Sequence, residues 1–247
     1  MQTLSALLLY YNIRTMKLEE INEKQLYNPI RNGRDKKYLE NLIDAFKNVD
    51  IKYQSWKYNA LKDKNIQNNE RPFCYELYHQ LRLKTKEEKN IILHGEINKE
   101  GITKRDQFIR NINSTKWDKI KSIFSDSFIP DLVLHEGQDT NHPDSHHLYI
   151  EVKAKPSRKL KYRQSYLTDI LKCLFAIEAM GYSYGVFICL NISKETQFKI
   201  KINKILRNNN ELFDSFNKGL KKLVILYRSK EEDDEIEFYQ IENNNNQ

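Results

Sequence analysis

Ile129-Pro130-Asp131-Leu132-Val133-Leu134 is followed, across a polar loop, by Leu148-Tyr149-Ile150-Glu151-Val152-Lys153-Ala154. In both halves β-branched and aliphatic residues recur at period two, the signature of strands. Between them, Glu136 to His147 is rich in turn formers: Gly137, Asp139, Asn141, Pro143, Asp144 and Ser145. The two strands are therefore expected to pair antiparallel. If the loop folds symmetrically about Asn141, Asp131 falls opposite Glu151. Cross-strand neighbours have Cβ atoms ~4.5–5.5 Å apart, and like charges placed there repel. A positive group is needed, and Lys153, two residues past Glu151, points to the same face. The other face carries Leu132, Leu134, Leu148, Ile150 and Val152 and suits a core. A one-residue slip would exchange the two faces. Two carboxylates, a lysine and room for a hard divalent cation suit a Mg²⁺ site for phosphodiester hydrolysis.

The rest of the composition bounds the setting. A chain of 247 residues is long enough to bury a sizeable core. Charged residues make up 30%, and Lys and Arg outnumber Asp and Glu to give a net charge of +7, which fits a polyanionic partner. Cys74, Cys173 and Cys189 are scattered, with no CxxC spacing, so neither a zinc site nor a disulfide framework is expected, and a reducing, cytoplasmic setting is. Leu4, Ala6, Leu7, Leu8 and Leu9 near the N-terminus lack a basic flank and read as a short packed element, not a signal peptide. That run is also too short to span a membrane.

Along the chain, residues 1–69 read as a helical extension, 70–241 as the main domain and 242–247 as a disordered tail. Residues 17–28 read as a polar helix, with Leu18, Ile21 and Leu26 inward. Residues 36–48 place Tyr38, Leu39, Leu42, Ile43 and Phe46 on one helical stripe. Residues 50–64 interleave Tyr53, Trp56, Tyr58 and Leu61 with lysines, in the manner of a half-buried helix or of aromatics that stack on bases. Pro72 suits the first turn of a helix that continues from Phe73 to Leu83. A strand is expected over 91–97, and residues 98–128 form a charged, partly helical connection. A helix over 164–180 ends at Gly181. Residues 184–190 form an apolar strand buried on both faces. Helical turns over 194–220 and strands over 223–227 and 236–241 complete the chain. The class is α/β, with helix, strand, strand, strand, helix, strand as its core order.

Two further groups bear on chemistry. Lys155, Arg158, Lys159, Lys161 and Arg163 follow Lys153 directly and suit a phosphate backbone. His142, His146 and His147 share the loop, where they read as solvent-exposed or substrate-touching side chains.

With that order in place, Pro130-Asp131 followed by Glu151-Val152-Lys153 resembles the signature of the PD-(D/E)XK nuclease superfamily. The resemblance spans about residues 70–190 and implies a restriction-endonuclease-like core with a mixed central sheet. It implies that Asp131 and Glu151, with the Val152 carbonyl, hold Mg²⁺ or Mn²⁺ and that Lys153 orients the attacking water or stabilises developing charge. Glu76 takes the superfamily's upstream acidic position, aiding a second cation or its water; Lys155, Asp169 and Lys172 are further candidates. The activity implied is metal-dependent endonucleolytic cleavage, in restriction or defence against mobile DNA. DNA is the expected partner, with RNA as the other nucleic acid, and a second copy or a partner protein is allowed; no membrane is expected. The alternatives are a nucleic-acid-binding module that does not cut and an interaction subunit of a larger complex.

Overall fold

The structure, a computed structural model, describes residues 15–27, 33–54, 70–96, 112, 114–124, 129–137, 145–154, 161–192, 195–229 and 235–244. Its strands are β1 (Thr15–Ile21), β2 (Ile91–Gly95), β3 (Leu132–Glu136), β4 (His146–Lys153), β5 (Tyr184–Ile192), β6 (Leu223–Ser229) and β7 (Ile236–Asn244). They form one seven-stranded sheet in the order β1-β7-β6-β5-β4-β3-β2. The central β4, β5 and β6 run parallel, and every other neighbouring pair is antiparallel. The parallel centre needs cover on both faces, and the apolar runs 184–190 and 223–227 supply it, being buried throughout, Gly185 included.

Helices α1 (Glu23–Tyr27), α2 (Gly33–Asn48), α3 (Ile51–Gln54), α4 (Glu70–Thr85), α5 (Ser114–Phe124), α6 (Lys161–Met180) and α7 (Glu195–Asn208), with short helical turns over 210–220, connect the strands. On one face, the expected stripe of α2 and Phe73, Leu77 and Leu81 of α4 pack on Leu132, Leu134, Leu148, Ile150 and Val152. On the other, α5, α6 and α7 pack on Val133, Tyr149, Phe187, Ile225 and Tyr239. Each such buried side chain contributes about 1.5–3 kcal/mol, and the period-two alternation of the strands divides them between two cores. The α6 helix ends at Gly181, whose φ of 79° places it in the left-handed region open to glycine.

The N-terminal segment departs from expectation. Residues 15–21 are a strand, and helix occupies only Glu23–Tyr27 of the span 17–28. Met16 and Leu18 are buried while Lys17 between them is exposed, a period-two pattern that β7 completes from the far end of the chain. That pairing carries β7 to Asn244, past the start of the expected tail. From the aromatic-lysine stretch 50–64, Trp56, Tyr58 and Leu61 lie outside the described residues, and Tyr53 packs half-buried against the core. Arg228 of β6 is buried, donating from Nη1 to the Val49 carbonyl at 2.7 Å and the Phe46 carbonyl at 3.4 Å. A cation is thereby set at the negative end of α2. None of the described helices is long and apolar enough to cross a membrane.

Candidate functional site

The hairpin register holds where it matters. Leu132 pairs with Ile150, Val133 with Tyr149 and Leu134 with Leu148, so the next position toward the open end sets Asp131 opposite Glu151. The ladder shifts once, between Leu134 and His135, which pairs with His146. The residue left over is His147. This β-bulge turns its ring onto the α2 face, against Tyr38 (centroids 4.4 Å apart) and Asp35 (Nδ1 to Oδ1, 2.9 Å). His147 is thus fully buried and not a loop residue, and His146 is half-buried against Tyr182; His142 lies outside the described residues.

At the carboxyl end of β4, four elements converge. Asp131, just before β3, accepts the Val152 backbone N–H at Oδ2 (2.6 Å). Glu151 is buried, with its Oε1 receiving the Tyr149 hydroxyl at 2.9 Å and lying 3.4 Å from the Lys172 ammonium. Lys153 lies 3.3 Å from both Asp169 of α6 and Glu70 of α4. Glu70 also accepts the Ala154 N–H at 3.2 Å. Asp169 and Lys172 stand one helical turn apart on α6, which brings them together at the sheet. The positive partner expected for Glu151 is Lys172, while Lys153 bridges Glu70 and Asp169.

Carboxylates here outnumber ammonium groups by two. Burial, with the charge of Glu70 and Asp169, pushes Asp131 up to about 7 against the opposing Val152 N–H and Lys153. Burial raises Glu151 well above the usual carboxylate range, with Asp169 and Asp131 adding to it, and burial raises Asp169 despite the two lysines. Burial disfavours the Lys153 ammonium, yet Asp169, Glu70 and Asp131 hold its pKa above the ordinary lysine value. Such crowding of ionisable groups marks functional sites more often than plain structure. The surplus is all hard oxygen, matching a Mg²⁺-class cation. Among the described residues, no three His, Cys, Asp or Glu side chains stand grouped as a ready ligand set. Hydrogen bonds and the two lysines hold these carboxylates instead, so a cation would have to displace ammonium groups to enter.

The other predicted residues fall as follows. Glu76 accepts Gln80 Nε2 at 2.7 Å; six positions from Glu70, it lies about 240° around α4 from the side that faces Lys153. Glu70, not Glu76, is the α4 carboxylate that meets Lys153. It could have been found, because Pro72 fixes the first helical turn near Glu70. Lys161 and Arg163 lie in the first turn of α6, and Lys155, Arg158 and Lys159 lie outside the described residues. Burial pushes the thiols of Cys74, Cys173 and Cys189 up, which suits packing and not nucleophilic attack. No protein-family model, curated protein or solved structure matches this chain.

Proposed function

We propose that the chain is a Mg²⁺- or Mn²⁺-dependent nuclease, built on a restriction-endonuclease-like core, that hydrolyses phosphodiester bonds in DNA. The observation that carries this reading is the surplus of buried and half-buried carboxylates beside Lys153 at the carboxyl end of β4. In open α/β sheets that end is where ligands bind. Asp131, Glu151 and the Val152 carbonyl would hold the cation, with Glu70 beside them. When bound, the cation supplies positive charge to the scissile phosphate and acidifies water. Lys153, held in place by Glu70 and Asp169, is positioned to orient the attacking water and to stabilise charge on the phosphate. Asp169 and Lys172 fix the orientations of Lys153 and Glu151. Arg158, Lys159 and their neighbours supply backbone affinity without sequence preference. Restriction or defence against mobile DNA in the cytoplasm is the setting that suits this activity.

A second reading, a nucleic-acid-binding module that does not cut, draws on the lysines that already neutralise part of the cluster. One assay separates the two. The protein is incubated with DNA in Mg²⁺ or Mn²⁺, beside Asp131→Ala and Lys153→Ala. Cleavage by the wild type that both substitutions abolish supports the nuclease. Equal cleavage by all three removes this site, and salt-sensitive binding without cleavage favours the module.

A further inference from the structure

Beside the carboxylates opens a cavity of about 500 Å³, within the size range of small-ligand pockets. Asp131 and Glu70 line it, as do Arg71, Tyr75 and Tyr78 of α4. These last three stand at i, i+4 and i+7, so they share one helix face. Tyr78 is half-buried and anchored against the core, whereas Tyr75 is 68% exposed. Isolated exposed aromatics are common; this one stands over a cavity beside a second aromatic ring and a guanidinium plane. The rim is fixed to the carboxylate site by Glu96. Its N–H donates to the Asp131 carbonyl at 3.2 Å, its carboxylate lies 3.6 Å from Arg71 Nε, and its φ of 47° is left-handed. A non-glycine residue held in that region is a strained feature that clusters at ligand sites.

Glu70, Glu96 and Asp131 outnumber Arg71, so this cavity repels phosphate and offers its occupant stacking surfaces with hydrogen-bond acceptors. A planar heterocycle fits that chemistry. We infer that the cavity takes the base of an unpaired nucleotide, stacked on Tyr75, next to the phosphate served by Asp131 and Lys153. The preferred substrate is then single-stranded nucleic acid or a frayed end, because a base within an intact duplex must first leave its stack to enter. This deepens the proposed nuclease reading and rests on it.

The test uses the full chain in Mn²⁺. Four substrates are compared: a single strand of DNA, its RNA counterpart, the DNA duplex, and the DNA strand with one abasic position at the cleaved nucleotide. Cleavage rates are read for the wild type, Tyr75→Ala, Tyr75→Phe and the control Ile200→Ala, which removes an exposed apolar side chain on α7. The expected result is faster cleavage of the single strand than of the duplex, with a loss of about tenfold for the abasic strand and for Tyr75→Ala. Ile200→Ala keeps the wild-type rate, while Tyr75→Phe, which retains the stacking ring, recovers most of what Tyr75→Ala loses. The DNA and RNA arms show which sugar the site accepts. Equal rates on single strand and duplex, or a Tyr75→Ala enzyme as fast as wild type, overturn the inference while leaving the nuclease reading intact. If no strand is cut, the nuclease reading falls. The cavity is then judged by binding of phosphorothioate strands carrying 2-aminopurine: quenching that Tyr75→Ala abolishes sustains it, and absence of quenching removes it.

Discussion

Glu70, the first residue of α4, and Lys153, the last of β4, meet at 3.3 Å across 83 positions of sequence. The same carboxylate accepts the Ala154 N–H, so one side chain fixes both the lysine and the backbone where β4 ends. Loss of a partner that orients site groups typically costs 10–100-fold in metal affinity or activity. Glu70→Gln is expected to weaken Mn²⁺ binding and DNA cleavage by roughly tenfold or more. Glu76→Gln, whose carboxylate serves Gln80 in a part-buried hydrogen bond away from Lys153, is expected to change both by less than about twofold. Isothermal titration with Mn²⁺ beside a cleavage assay on both variants checks this.

Asp131 carries a second prediction. Its pKa is raised to about 7 by burial in an acidic neighbourhood, against about 3.9 in an unfolded chain. A group raised on folding contributes stability that is present below its unfolded pKa and lost as pH rises through its folded pKa. Cation-free protein should therefore lose stability between pH ~4 and ~7, with Glu151 and Asp169 acting in the same direction. Asp131→Asn keeps an oxygen for the Val152 N–H and removes the charge. It should gain about 1–2 kcal/mol above neutrality, after discounting for solvent screening. That corresponds to a rise in melting temperature of roughly 2–8 °C. Thermal melts of both proteins across this pH range, in chelator, decide it; a wild type that is more stable at higher pH sinks the idea.

Saturating divalent cation should reverse that trend. Binding to a partly protonated carboxylate releases a proton, so affinity falls by up to about tenfold per pH unit below ~7. Mn²⁺ should raise the melting temperature of wild type more at pH ~8 than at pH ~6, and should have little effect on Asp131→Asn. Equal stabilisation of both proteins by Mn²⁺ would place the cation elsewhere.

Arg228 yields a prediction about the fold alone. Its Nη1 holds the last carbonyls of α2 from within the core, and its guanidinium lies 5.6 Å from the Phe46 ring centroid. Arg228→Ala should cost about 3 kcal/mol, because the carbonyls lose a charged donor and a cavity opens. Urea denaturation should show a lower midpoint with an unchanged slope.

Much of this was legible in the sequence because it is local. Period-two runs gave β3 and β4, the continuous apolar run 184–190 gave β5, and the helical stripe Tyr38 to Phe46 gave α2. The hairpin register that sets Asp131 against Glu151 came from taking the loop as symmetric about Asn141, and it holds at the base of the hairpin despite the shift at His135. What escaped was non-local. Lys17 to Ile21 is too short and polar to announce a strand, and its partner β7 lies more than two hundred residues away. Glu70 stands in a polar run whose closeness to Lys153 comes from chain folding, whereas Glu76, farther along the same helix, lies within the stretch whose apolar spacing marks a helix. Asp169 and Lys172 were visible as charges within the apolar stretch 166–177 of α6, yet nothing in their spacing told which carboxylate or ammonium each would meet.

The bulge at His147 has a consequence for change in the hairpin. Pinned by Asp35 and Tyr38 of α2, it works as a stop in the ladder: a register shift arising beyond His135 and His146 halts there before reaching Leu134 and Leu148. The base of the hairpin, where Asp131 and Glu151 face each other, is shielded from what happens at its tip. A change of length or composition beyond the bulge therefore leaves Asp131 aligned with Glu151.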